Sequence, residues 1–133
     1  MTIAILSKEF QTEVEAKLKI TDVNKALYDN LSQQHFYFQL LIECKTGLRD
    51  VIENLDAIYQ ELLHYYKFEY SFQLKTKDEL EAYIKNNKKY KDVNKIYQLK
   101  KLEQEVLEET IKMFQSRGFT LNNILKFQEL EKR

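Results

Sequence analysis

The sequence predicts an all-α protein, in which long heptad-patterned helices form a helical hairpin or coiled coil with short flanking helices and assemble as an oligomer. The chain has 133 residues with only two glycines and no proline. A chain so poor in turn residues cannot build the tight hairpins of β folds. Hydrophobic residues make up 44% of the chain, which is too apolar for a disordered protein. Its length suits one domain, or one domain with an extended arm.

The first predicted helix runs from Ser7 to Ile20. Phe10, Val14 and Leu18 recur at every fourth position and form a narrow apolar stripe, and Ser7 is a suitable N-cap. The polar stretch that follows predicts a break, in which Thr21, Asp22 or Asn24 starts the next helix.

A much longer helix is predicted from about Ala26 to Tyr70. Ten of the twelve positions in two interleaved heptad series are apolar, which predicts a seam that packs against a partner helix. The first series is Leu27, Gln34, Leu41, Leu48, Leu55 and Leu62, and the second is Leu31, Phe38, Lys45, Ile52, Tyr59 and Tyr66. Gly47 lies inside this helix and costs about 1 kcal/mol of helix propensity.

The second half of the chain predicts a turn over 71–77 and then more helix. Asp78 and Glu81 resemble a capping box that opens a short helix. A second long helix is predicted over 89–117, with Gly118 ending it as a C′ residue. These boundaries divide the chain into an N-terminal helical region, 1–77, and a C-terminal helical region, 78–133.

A final short helix is predicted after Gly118, capped by Thr120. It is strongly apolar, and a chain of this size has too few helices to cover all of its apolar faces. The sequence therefore predicts self-association through the remaining apolar surface, which includes this C-terminal segment. The candidate oligomerisation residues are Phe119, Leu121, Ile124, Leu125 and Phe127.

Charge is unevenly distributed, although 21 basic and 21 acidic residues give zero net charge. Residues 1–60 carry a net charge of −3, residues 61–101 carry +4, and residues 102–133 carry −1. Within 85–101 there are seven lysines and a single acidic residue, Asp92. An aromatic run containing Tyr65, Tyr66 and Phe68 precedes this lysine cluster.

Lysines interleaved with aromatic rings are typical of proteins that bind single-stranded DNA. The lysines neutralise phosphates and the rings stack on bases, at about 1–3 kcal/mol per base. Two other interpretations remain open: the lysines form a solvated helix face, and Tyr66 and Phe68 belong to the core. The candidate DNA-binding residues are Tyr65, Lys67, Lys75, Lys77, Lys85, Lys88, Lys89 and Lys91.

The sequence does not predict an enzyme, a cofactor or a metal site. It has two histidines without zinc-binding spacing, and two glycines cannot form a phosphate-binding loop. His35 and Cys44 are nine residues apart, about 13–14 Å along a helix, which is too far for a nucleophile and its base. A lone cysteine and the lack of a long apolar segment predict a cytoplasmic protein without a membrane span.

Several short motifs resemble the UvsY family of phage recombination mediator proteins. Leu63-His64-Tyr65-Tyr66 ends a long heptad helix, and a lysine-rich helix follows. Ser116-Arg117-Gly118-Phe119 then precedes the terminal segment. The stretch Leu18-Lys19-Ile20-Thr21-Asp22 also lies where the family has a short segment before its long helix. The similarity extends over nearly the whole chain.

This resemblance implies a non-catalytic protein that binds single-stranded DNA and forms a closed homo-oligomeric ring, hexameric or heptameric. It further implies that the protein helps a RecA-like recombinase replace the single-strand-binding protein on DNA, inside the infected host cell. It also links the C-terminal part to oligomerisation. The family's Leu-Lys-Ala-Arg-Leu pattern is absent, because Gln60 and Leu62 replace its basic pair. Phosphate contacts must therefore come from the other lysines.

Two other classes of protein remain as alternatives. A structural coiled-coil assembly protein would explain the heptads without any nucleic acid. A regulatory adaptor that binds only proteins would show no salt-sensitive affinity for DNA.

Overall fold

The computed structural model describes residues 4–70 and 76–132, and these are almost entirely helical. Helix α1 spans Lys8–Leu18, α2 spans Val23–His64, α3 spans Lys77–Asn86 and α4 spans Lys88–Glu131. A single π-helical turn, Tyr65–Glu69, continues α2. No strand occurs in the described residues. The predicted all-α class is confirmed.

The chain divides into two compact units. The first unit comprises residues 1–44 and 102–133, and the second comprises residues 45–101. Both long helices contribute to each unit. The boundary predicted at 77/78 falls at the start of α3, inside the second unit.

The start of each early helix follows from its capping residue. The Ser7 hydroxyl accepts a hydrogen bond from the Phe10 amide at 3.1 Å, as predicted. Of the three candidates for α2, Asp22 is the cap, since its carboxylate accepts from the amides of Asn24 and Lys25. The capping box at Asp78 was wrong, because Thr76 caps α3 by accepting from the Glu79 amide at 3.1 Å.

The core of the first unit joins α1, α2 and α4. At its centre lie the rings of Tyr37 on α2 and Phe114 on α4, which are 1% and 0% exposed. The Tyr37 ring stacks on Phe114 with centroids 5.3 Å apart and meets the edge of Phe10 at 5.9 Å. Val14, Leu41, Cys44 and Leu107 complete the cluster. Within this unit α2 and α4 are antiparallel, as a helical hairpin requires.

Arg117 links α1 and α2 to α4 inside the first unit. Its guanidinium donates to the carbonyls of Leu18 and Lys19 at 3.1 and 3.3 Å and to Asn30 Oδ1 at 3.1 Å. Asn30 Nδ2 in turn donates to the Phe114 carbonyl at 3.0 Å. Burial lowers the pKa of Arg117. Its hydrogen bonds satisfy the carbonyls at the end of α1, which would otherwise lack donors.

The predicted helix end at Gly118 was wrong, since α4 continues without a break to Glu131. No glycine in the described chain has a positive φ, so Gly118 does not act as a C′ residue. A Cβ atom at this position would lie 3.0 Å from Asn30 Nδ2. The glycine therefore allows α2 to approach closely, rather than ending a helix.

The core of the second unit lies between the end of α2, α3 and the start of α4. Ile58, Leu62 and Ile84 are buried at its centre. The Tyr59 and Tyr90 rings meet at 6.3 Å, so α2 and α4 are antiparallel here as well.

The heptad seam predicted for α2 was only partly correct. Leu41 and Leu62 of the first series are buried, but Leu31, Phe38 and Ile52 of the second are 74%, 49% and 46% exposed. A different line of residues, Asn30, Tyr37, Cys44 and Ile58, is buried in place of the second series. This line was not predicted, because asparagine is usually a surface residue. In the structure the buried Asn30 amide donates to the Phe114 carbonyl and accepts from Arg117.

Candidate nucleic-acid interface

The candidate interface is built on the π-helical turn that ends α2. The Tyr70 amide donates to the Tyr65 carbonyl at 2.9 Å, five residues back, which widens the turn by one residue. This extra residue breaks the heptad frame of α2. Side chains beyond His64 therefore point in directions that the heptad frame does not predict.

A cluster of tyrosines forms around this turn. Tyr66 lies at its centre, with ring centroids 5.1 Å from Tyr65, 5.1 Å from Tyr70 and 5.7 Å from Tyr83. Tyr66 also packs against the core of the second unit, as predicted. Desolvation, with the neighbouring Tyr83, raises the pKa of Tyr70.

Three aromatic rings of this region are exposed. Phe68 is 70% exposed, Tyr83 is 44% exposed and Tyr65 is 40% exposed. The interpretation of Phe68 as a core residue was wrong, because its ring is largely exposed and lies against His64 with the ring centroids 5.1 Å apart. Tyr83 was not predicted, because nothing in the sequence indicates that α3 packs on the π turn.

The predicted lysines that the structure describes lie on the π turn, on α3 and at the start of α4. Lys67 lies in the π turn with its Nζ atom 5.8 Å from the centre of the Phe68 ring. All of the predicted lysines that the structure describes are exposed: Lys67, Lys77, Lys85, Lys88, Lys89 and Lys91. Lys75, also predicted to bind DNA, lies outside the described residues.

Asn87 couples the lysine-bearing start of α4 to the tyrosine cluster. Its Nδ2 atom donates to the Tyr66 hydroxyl at 3.0 Å, and its Oδ1 atom accepts from the Lys89 amide at 2.9 Å. Lys88, Lys89 and Lys91 follow directly, and the first turn of α4 contains no acidic residue. Lysines at the positive end of a helix dipole are unfavourable unless an anion is bound nearby. This arrangement favours a polyanion as the ligand.

Lys89 of α4 forms an ion pair with an acidic residue of another helix. Its Nζ atom lies 3.0 Å from both carboxylate oxygens of Glu61 on α2. The two side chains are 56% and 62% exposed, so the ion pair adds little stability. Its main effect is to offset one positive charge at the interface.

The five candidate oligomerisation residues all lie on α4 but differ in burial. Phe119 and Phe127 are 73% and 62% exposed, and Ile124 and Leu125 are half-buried. Leu121 is fully buried in its own chain. Only the first two therefore present large apolar surfaces to solvent.

The described residues show neither a metal-binding cluster nor a membrane span. No three histidine, cysteine, aspartate or glutamate side chains among them converge where an ion could bind. None of the helices in the described ranges has both the length and the apolar character required to cross a bilayer.

No protein-family model and no curated protein sequence matches the chain. Solved structures, in contrast, are similar to it. Three crystal structures of the bacteriophage T4 recombination mediator protein UvsY, in different lattice types, are similar to it with TM-scores of 0.84, 0.83 and 0.83. The identities are 16%, 17% and 14%. The alignments cover 93–97% of this chain and 97–99% of the T4 chains.

The similarity thus includes both units, both long helices and the short helices at either side. The sequence resemblance is confirmed at the level of structure: the chain has the fold of the T4 recombination mediator protein UvsY.

Proposed function

We propose that this chain is a recombination mediator. In this proposal it is a non-catalytic protein that binds single-stranded DNA and forms a homo-oligomeric ring. It helps to load a RecA-like recombinase onto DNA coated by single-strand-binding protein. The observation that carries the proposal is the shared fold, which extends over at least 93% of both chains.

The chemistry of the second unit supports the DNA-binding part of this proposal. Exposed rings at Tyr65, Phe68 and Tyr83 offer flat apolar faces on which unstacked bases stack. Lysines on the π turn, α3 and α4 lie beside them in sequence and supply contacts to phosphates. Neither feature discriminates between bases, which suits a protein that must act on any sequence.

A ring would bring several such surfaces together. Each surface has few contacts and is weak alone, but linked sites gain affinity through effective concentration. A strand held on several subunits is bent or extended. We infer that this distortion loosens the coat protein and allows the recombinase to nucleate.

Lys88 and Lys91 provide the sharpest test of the DNA-binding surface. We expect that Lys88→Ala/Lys91→Ala lowers the salt slope of single-stranded DNA binding by up to about 1.4, because each lost phosphate contact removes about 0.7. A matched control, Lys8→Ala/Lys19→Ala, removes the same charge from exposed positions in the first unit. Fluorescence titration with an oligonucleotide at several salt concentrations measures both slopes.

The same variants test the mediator role. The wild type and the control variant should shorten the lag in ATP hydrolysis by a RecA-like recombinase on coated single-stranded DNA, and Lys88→Ala/Lys91→Ala should do so less. An equal fall in salt slope for both double variants would refute this surface. If the wild type had no salt-sensitive affinity for single-stranded DNA, the chain would instead be a structural or adaptor protein.

A further inference from the structure

The first unit exposes a line of large apolar side chains on the outer side of α2. Tyr28, Leu31 and Phe38 are 86%, 74% and 49% exposed, and His35 lies between them. These four residues, here called the α2 stripe, recur at intervals of three and four. Leu31 and Phe38 each follow a buried residue, Asn30 or Tyr37, so they lie about 100° around the helix from the core.

The α2 stripe contains no acidic residue and no lysine or arginine, so it is not a surface for DNA. An open groove of about 740 Å³ lies beside it, lined by Tyr28, Leu31 and Phe38 from α2 and by Ile111 from α4. This volume is in the range of pockets that enclose drug-sized ligands, about 300–1,000 Å³, so the groove has room for more than one side chain.

A second apolar line of the same unit lies on the C-terminal part of α4. Phe119, Phe127 and Leu130 are 73%, 62% and 65% exposed. They are called here the α4 stripe. They are spaced by eight and three residues, so they share one side of the helix, and Arg117 and Leu121 face the core on the other side. The three residues themselves are apolar, and Lys126 lies on the same side of the helix.

We propose that the α2 stripe of one subunit receives the α4 stripe of a neighbouring copy, which makes a head-to-tail contact. This inference rests on the proposed function, because it specifies how the copies of the proposed ring meet. Two different surfaces on each subunit are what a ring requires, whereas a surface that pairs with itself stops at a dimer. One contact of this kind covers both exposed lines.

The size of the two lines supports a second copy as the occupant. At about 200 Å² for each large side chain, the exposed fractions correspond to roughly 400 Å² of apolar surface per stripe. A contact between the stripes buries roughly 800 Å² of apolar surface, and the polar residues between them bring the total to about 1,000 Å². This is close to the lower limit for a specific interface. Repetition around a ring strengthens the assembly further.

Two phenylalanines of α2 allow a matched test of the α2 stripe. Phe38 and Phe36 are 49% and 48% exposed, but only Phe38 belongs to the stripe, and Phe36 lies beside Lys17 and Tyr37. We expect Phe38→Gln to raise the dissociation constant of the assembly at least tenfold, and Phe36→Gln to change it less than threefold. Sedimentation of the full chain over a range of concentrations measures both, with circular dichroism to verify folding.

A crosslinking experiment tests the pairing itself and does not depend on weakening the assembly. A short bis-maleimide should convert Leu31→Cys/Phe127→Cys into a ladder of covalent species larger than dimers. Neither single variant should form a ladder, and the wild type reports on the buried Cys44.

Each outcome decides between the alternatives. Crosslinked dimers from Leu31→Cys alone would show a self-paired contact and overturn the inference. So would equal effects of Phe38→Gln and Phe36→Gln, or the absence of a ladder from an intact assembly. Those results leave the proposed function standing if the wild type is an oligomer that binds single-stranded DNA. A monomeric wild type without DNA affinity would overturn both.

Discussion

At the scale of single residues, Glu61 is the most informative side chain of the candidate interface. Its carboxylate lies 3.0 Å from Lys89 Nζ, so it competes directly with any phosphate that approaches this lysine. We therefore expect Lys89 to be a weaker site for DNA than its neighbours Lys88 and Lys91. No spacing rule pairs Glu61 with Lys89, which lie on different helices, so sequence reasoning treated the three lysines alike.

The competition predicts that Glu61→Gln strengthens DNA binding. The variant releases Lys89 and removes a negative charge, so we expect tighter binding by several-fold and a salt slope raised by up to about 0.7. Glu53→Gln, which neutralises another exposed carboxylate of α2, is the matched control and should change neither quantity as much. Titrations at several salt concentrations measure the effect. Weaker binding by Glu61→Gln would contradict this role of the carboxylate.

At the scale of helices, the two glycines have different roles although both lie inside long helices. A Cβ atom at Gly47 would meet only the end of the Lys100 side chain, at 3.8 Å. At Gly118 it would meet Asn30 Nδ2 at 3.0 Å, and Asn30 is fixed by its hydrogen bonds to Phe114 and Arg117.

This contrast predicts opposite effects of the same substitution. Gly47→Ala should stabilise the protein by about 0.5–1 kcal/mol, because alanine is the better helix former. Gly118→Ala should destabilise it by about 1–2 kcal/mol, because displacing Asn30 weakens its hydrogen bonds and costs more than the propensity gained. Urea denaturation at one fixed protein concentration compares the two. Equal stabilisation by both variants would contradict the close approach at Gly118.

The sequence predicted where helices occur better than it predicted which of their side chains are buried. Ser7 and the line Phe10 and Val14 gave α1 correctly, because a local cap and a local period determine such a helix. The prediction at Gly118 was wrong because a glycine near a helix end usually serves as a local C-cap. Here the glycine leaves room for Asn30, which is 88 residues away in sequence. The outward position of Phe68 was not predicted because an aromatic residue near the end of an apolar helix usually packs in the core, whereas here its ring is 70% exposed.

At the scale of the whole molecule, the two units separate the two proposed activities. The lysines and exposed rings of the proposed DNA surface belong to the second unit, and both apolar stripes belong to the first. Net charge follows the same division, since the second unit, residues 45–101, carries +3 whereas the first unit carries −3. Variants of the proposed DNA surface should therefore leave self-association measurable. The sequence indicated the basic segment and a need for self-association, but the oligomerisation residues predicted from it were all C-terminal.

Native mass spectrometry with and without a single-stranded oligonucleotide tests the central claim most directly. The account predicts a particle of six or seven times the 16.1 kDa chain mass, which gains the mass of one bound oligonucleotide at low salt and loses it as salt rises. A particle of 16.1 kDa whose mass does not change when the oligonucleotide is added would contradict it.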